Sequence, residues 1–105
     1  MKKVLLVDDD IFFRTMFASM ISWQDYGFSL VQADNGQGAI ELLHRHNDIA
    51  LVFTDMNMPI LDGMELIRYI SEQCKGIRCV ALSAYDDFAY VQSSLKNGAD
   101  DYLLK

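Results

Sequence analysis

The side chains best suited to chemistry in this chain fall in four places: Asp8-Asp9-Asp10, Asp55, Ser83 and Lys105. Carboxylates gathered at one point repel, each pair about 4 Å apart costing roughly 4 kcal/mol at the effective dielectric of a protein surface. Such a group needs a divalent cation, a lysine or protonation to persist. An all-oxygen donor set favours Mg²⁺, which keeps some waters and takes a few carboxylates together with a phosphate oxygen. A carboxylate can itself attack phosphorus and give an aspartyl phosphate. The transferring phosphoryl group then needs positive charge and hydrogen-bond donors at its oxygens. A metal ion, Lys105 and the Ser83 hydroxyl have the chemistry to supply them.

Taken singly, each residue has a plainer role. Aspartate is a favoured helix N-cap, and Asp10 is the member of its run expected to do only that. Asp55 alone reads as a turn residue before Met58-Pro59, Ser83 as a strand-end hydroxyl and Lys105 as a solvated cation. Joint placement is what separates the two readings, and placement depends on the elements beneath.

Those elements alternate along the chain. Lys3–Val7, Phe28–Ala33, Ala50–Thr54, Ile77–Leu82 and Asp101–Leu104 are compact apolar runs and read as five strands. Between them, apolar residues recur at helical spacing over Ile11–Ser22 and Gly36–His46, from about Gly63, and through Phe88, Val91 and Leu95 up to Gly98. Asp25-Tyr26-Gly27 is turn-like, and Asp86-Asp87 is placed to cap the fourth helix. The strands are nearly continuous in apolar character, as in a parallel sheet covered on both faces. Strand-helix repetition with short connections predicts right-handed crossovers and a doubly wound α/β domain. In such a sheet ligands sit beyond the carboxyl ends of the strands. The acids, the hydroxyl and the lysine stand at four strand ends, so the scaffold gathers them on one edge.

At 105 residues, 51% hydrophobic and 23% charged, the chain reads as one domain, 1–105, with a packed core. The net charge of −6 argues against direct nucleic-acid binding by this domain. Setting Asp8, Asp9, Asp10 and Asp55 aside leaves −2, so the acidity is concentrated where a cation would bind. The opening apolar run stops at Val7, too soon for an export signal or a membrane span. Cys74 and Cys79 have no second pair and no nearby histidine, and read as reduced thiols of a cytoplasmic protein. His44 and His46 suit a helix C-terminus. The stripe of Phe12/Phe13, Met16, Phe17 and Met20 is read as core.

With these residues located, the sequence resembles the receiver family of two-component response regulators over its whole length. The resembling segments are Val4-Leu5-Leu6-Val7-Asp8-Asp9-Asp10, Phe53-Thr54-Asp55-Met56-Asn57-Met58-Pro59, Leu61-Asp62-Gly63, Ala81-Leu82-Ser83-Ala84 and Asp101-Tyr102-Leu103-Leu104-Lys105. The resemblance implies a flavodoxin-like fold with strand order 2-1-3-4-5 and a fifth helix that would follow Lys105. It implies Asp55 as phosphoacceptor from a sensor histidine kinase and Asp9 as the direct Mg²⁺ ligand. Asp8 would act through metal-bound water, and the Asn57 backbone carbonyl would complete the ligands. Ser83 and Lys105 would contact the phosphoryl oxygens, and Tyr102 would be the aromatic switch. The domain would not be an enzyme beyond its own phosphotransfer and dephosphorylation.

Trp23, Tyr26-Gly27-Phe28 and Ser83-Ala84-Tyr85-Asp86-Asp87-Phe88-Ala89-Tyr90 resemble receivers joined to an AraC-type helix-turn-helix output. A C-terminal DNA-binding domain, transcription regulation and a homodimeric partner are the corresponding expectations. Two other functions compete. Asp8-x-Asp10 after a strand resembles the nucleophile motif of haloacid-dehalogenase-like phosphatases, which would leave Asp55 secondary. A receiver-like adaptor working without phosphorylation is the other, although such proteins typically lose the acids, the hydroxyl or the lysine.

Overall fold

A computed structural model describes residues 2–84 and 88–105, with the side chains of Phe88 and Tyr90 left out. The expected cap at Asp86-Asp87 lies outside the described residues. The apolar runs form β1 (Lys2–Val7), β2 (Phe28–Ala33), β3 (Ile49–Asp55), β4 (Arg78–Ser83) and β5 (Asp101–Leu104). All neighbouring pairs are parallel and the order is β2-β1-β3-β4-β5, a flavodoxin-like sheet. The helices are α1 (Ile11–Met20), α2 (Gly36–Arg45), α3 (Gly63–Gln73) and α4 (Phe88–Lys96). A 3-10 turn at Trp23–Tyr26, closed by Gly27 at φ 81°, occupies the expected turn before β2.

Val4, Leu5, Leu6 and Val7 are all fully buried, the mark of a central strand covered on both sides. Successive side chains point to opposite faces. Leu5, Val7, Val52, Cys79 and Ala81 join Ala39, Leu43, Leu66, Ile67 and Ile70 of α2 and α3 in one apolar cluster. On the opposite face Phe53 of β3 packs against Phe17 of α1, ring centroids 5.1 Å apart.

The helix starts are written locally. Asp10 caps α1 by accepting from the Phe12 N–H, Asn35 caps α2 through Gly38, and Asp62 with Glu65 forms a capping box on α3. Asp10 thus has the role the sequence assigned it.

The core reading of the α1 stripe is corrected in part. Phe13 and Phe17 are half-buried, but Phe12 is 83%, Met16 51% and Met20 66% exposed, and α1 has no buried residue. Periodicity reports that a helix has an apolar face, whereas burial needs something packed on that face. Among the described residues, Phe53 and Trp23 cover the Phe17 part of this face, and Phe12, Met16 and Met20 are left exposed.

Candidate functional site

The β1–α1 connection is tied down around Asp8. Its backbone N–H donates to the Ala33 carbonyl at 3.1 Å, its Oδ1 accepts from the Asp10 N–H at 2.9 Å, and its carbonyl accepts from the Arg14 guanidinium. Arg14 also donates to Gln32 at 3.1 Å. Asp8 is fully enclosed, while Asp9, the next residue, points into solvent.

β3 delivers Asp55, 8% exposed, at its last position. The chain then folds back so tightly that Gly63 N–H donates to the Met56 carbonyl at 3.1 Å. A Cβ on Gly63 would stand 2.0 Å from the Asp55 carbonyl oxygen, so only glycine permits this approach. Within the same loop Leu61 N–H donates to the Pro59 carbonyl at 2.8 Å, a three-residue turn with Ile60 at φ 73°. A β-branched residue in that region is strained.

β4 ends in Ser83, 2% exposed, whose carbonyl accepts from the Lys105 N–H at 2.9 Å. β5 is held in register with β4 from Val80↔Asp101 to Ser83↔Leu104. Asp100 anchors the approach: its N–H donates to the Cys79 carbonyl and its side chain accepts from the Cys79 N–H. Lys105 thus enters from the far edge of the sheet.

The structure brings Asp8, Asp9, Asp55 and Lys105 together. One carboxylate oxygen from each acid lies within 4.8 Å of the others. Lys105 Nζ is 2.6 Å from Asp8 Oδ2 and 3.0 Å from Asp55 Oδ1. The shorter contact is an ion pair by proximity, and Asp8 Oδ2 receives no well-directed hydrogen bond although it is buried. That oxygen keeps capacity for another cation, and three carboxylates against one ammonium leave the cluster negative. The donor set fits a hard divalent ion.

Burial pushes the Asp55 carboxyl above its ordinary pKa, reinforced by Asp8 and opposed by Lys105. Burial also works against the Lys105 ammonium, but Asp8 and Asp55 together outweigh it and raise its pKa. Lys105 is therefore a fixed positive charge at neutral pH, facing a carboxyl whose charge burial discourages.

Ser83 stands beside this cluster at the end of β4, the strand between β3 and β5. Asn57 is exposed in the loop after β3, and Tyr102, half-buried on β5, packs against the apolar core. His44 lies away from the cluster, its Nε2 2.6 Å from the Tyr69 hydroxyl. Arg14 was missed by sequence reasoning. Its signal was available: it is the one charged residue of α1, a turn beyond Asp10.

Comparison with known proteins agrees with this fold. The family model described as "Response regulator receiver domain" matches residues 4–105. The chain is 37% identical to the "Uncharacterized transcriptional regulatory protein YesN" of Bacillus subtilis, covering all of this chain and 28% of that protein. It covers 41% of the transcriptional regulatory protein HptR of Staphylococcus aureus, at 35% identity. The chain thus spans well under half of these curated relatives. Among solved structures, the REC domain of AraT, a response regulator from Geobacillus stearothermophilus, superposes with a TM-score of 0.89 at 35% identity, over 99% of this chain and 81% of that one. With its acids, hydroxyl and lysine at the strand ends of a 2-1-3-4-5 sheet, the chain belongs to the response regulator receiver domain family.

Proposed function

We propose that this domain takes a phosphoryl group from a sensor histidine kinase onto Asp55, in a Mg²⁺-dependent step, and that the phosphorylated state controls an attached output. The observation that carries the reading is the shared contact of Lys105 with Asp8 and Asp55 at 2.6 and 3.0 Å. It sets a fixed ammonium and a negative, incompletely satisfied acid cluster around one carboxylate. Asp9, Asp55 and the Asn57 carbonyl would hold the metal, with Asp8 behind a water. The ion would supply charge neutralisation at the incoming phosphoryl oxygens. Lys105 and the Ser83 hydroxyl orient those oxygens, and Ser83 moving toward them frees space for Tyr102. A solved response regulator from Burkholderia pseudomallei, 26% identical with a TM-score of 0.86, is described with a phosphorylated aspartic acid and a calcium ion. That description supports the same pairing of acid and divalent ion here.

The phosphatase reading loses support, because Asp8 is fully enclosed and the Asp10 carboxylate caps α1. No helix among the described residues is long and apolar enough to cross a membrane; the relatives' names as transcriptional regulators support a cytoplasmic place of action. The names of the relatives support an output that regulates transcription, and the resemblance at Trp23, Tyr26-Gly27-Phe28 and Ser83-Ala84 supports the AraC-type DNA-binding class for it. The apolar face of α1 supports a further helix between the two.

Incubation with acetyl phosphate and Mg²⁺, followed by intact mass, tests the reading. Wild-type protein should gain one phosphoryl mass and Asp55→Asn should not. Undiminished labelling of Asp55→Asn would overturn the assignment.

A further inference from the structure

The Lys105 ammonium has a neighbour that is not a carboxylate. Its Nζ lies over the ring of Phe13, 4.7 Å from the centroid, within the range where a ring quadrupole attracts a cation. The ring is itself held. Phe13 packs against Phe17 at 5.7 Å, and Phe17 packs against Phe53 at 5.1 Å and stacks on Trp23 at 5.7 Å. Phe53 sits on β3 two residues before Asp55. The brace behind the lysine is therefore rooted in the strand that carries the candidate phosphoacceptor.

A lysine side chain is a point charge on a flexible four-carbon stem. Two carboxylates attract it but do not fix the direction from which it approaches. The ring supplies the missing surface.

We propose that Phe13 is a positioning residue: its ring face holds the Lys105 ammonium between Asp8 and Asp55, where phosphoryl oxygens arrive. The proposal rests on the reading of Asp55 and Lys105 given above. Aliphatic packing at this position would fill space without directing charge, and that difference is measurable.

Three variants separate the two roles. Phe13→Leu removes the ring, Phe13→Tyr keeps it, and Phe13→Met provides a second ring-less side chain should the leucine variant fold poorly. The first readout needs no phosphoryl chemistry. Carbon–proton NMR of the Lys105 ε-methylene should show a ring-current displacement in wild type and Phe13→Tyr that is lost in Phe13→Leu and Phe13→Met. The second readout is beryllofluoride affinity at saturating Mg²⁺. It should weaken roughly two- to thirtyfold without the ring, the span set by cation–π energies, and return toward wild type in Phe13→Tyr. Equal weakening in the leucine and tyrosine variants would overturn the proposal, because volume and not the ring face would then matter. An unchanged ε-methylene resonance in Phe13→Leu would overturn it as well. If wild-type protein neither binds beryllofluoride nor labels on Asp55, the phosphoacceptor reading fails instead, and the NMR comparison still decides whether the ring holds the lysine.

Discussion

Lys105 is the residue on which the site's charges balance. Breaking a buried ion pair by removing one partner typically costs 3–5 kcal/mol; with the Lys105 side chain 20% exposed, about 2 kcal/mol is expected for Lys105→Ala. Mg²⁺ should restore part of that loss in thermal melts, since the stranded carboxylates regain a cation. The pH dependence follows from the raised pKa of Lys105. A group whose folded pKa is raised contributes fully below its ordinary value, here 10.5, and that contribution fades as pH climbs through the folded value. Wild-type stability should therefore fall on the alkaline side more steeply than that of Lys105→Ala, measured by denaturant titration. The two cysteines offer a contrast in the same terms. Burial, with Asp100 adding to it, pushes the Cys79 thiol up to about 12, whereas Cys74 is half-buried. Iodoacetamide at about pH 8 should modify Cys74 first and reach Cys79 only on unfolding, because the thiolate is the reactive form.

Among the elements, the loop from β3 to α3 concentrates backbone demands. Ile60→Gly should stabilise the protein by about 0.5–1 kcal/mol, the relief of a left-handed β-branched residue less the extra chain entropy of glycine. Gly63→Ala should destabilise it by about 2 kcal/mol or more, since the added methyl meets the Asp55 carbonyl and the backbone there must shift. Parallel denaturant titrations check both. The strands were legible from the sequence because a buried parallel strand leaves an unbroken apolar run closed by a polar residue, as Val4–Val7 is by Asp8. The gathering of Asp8, Asp9, Asp55 and Lys105 followed from that, since parallel strands share their ends. The strained turn at Ile60 was not legible: isoleucine carries no turn signal, and the φ of 73° is imposed by the fold-back that Gly63 permits. Nor was Lys105 over Phe13, which depends on how a side chain crosses from β5 toward α1.

For the molecule as a whole, the open question of packing is the exposed side of α1. Phe13, Met16, Phe17 and Met20 line a shallow cavity of about 180 Å³ with Leu82, Leu103, Leu104 and Lys105. A helix laid there would bury about 400 Å² of apolar surface, worth roughly 10 kcal/mol gross, comparable with the whole net stability of a small domain. Met20→Glu separates the alternatives. In the 105-residue chain the position is 66% exposed, and the change should stay within about 0.5 kcal/mol. In a longer protein whose next helix covers this face, the same change should cost about 2 kcal/mol or more, because the charge is then buried without a partner. A loss that small in the longer protein would count against the covering helix.

The sheet order also sets a sequence of events in time. Asp8 and Asp55 leave the ribosome before Lys105, because synthesis runs from the N-terminus. β5 is a four-residue edge strand and the last of the five in sequence. Until it docks, the acids at the ends of β1 and β3 lack the ammonium that later stands between them. Before β5 pairs, the repulsion among these carboxylates is unrelieved by Lys105, and that is the state of the domain a divalent cation would stabilise most.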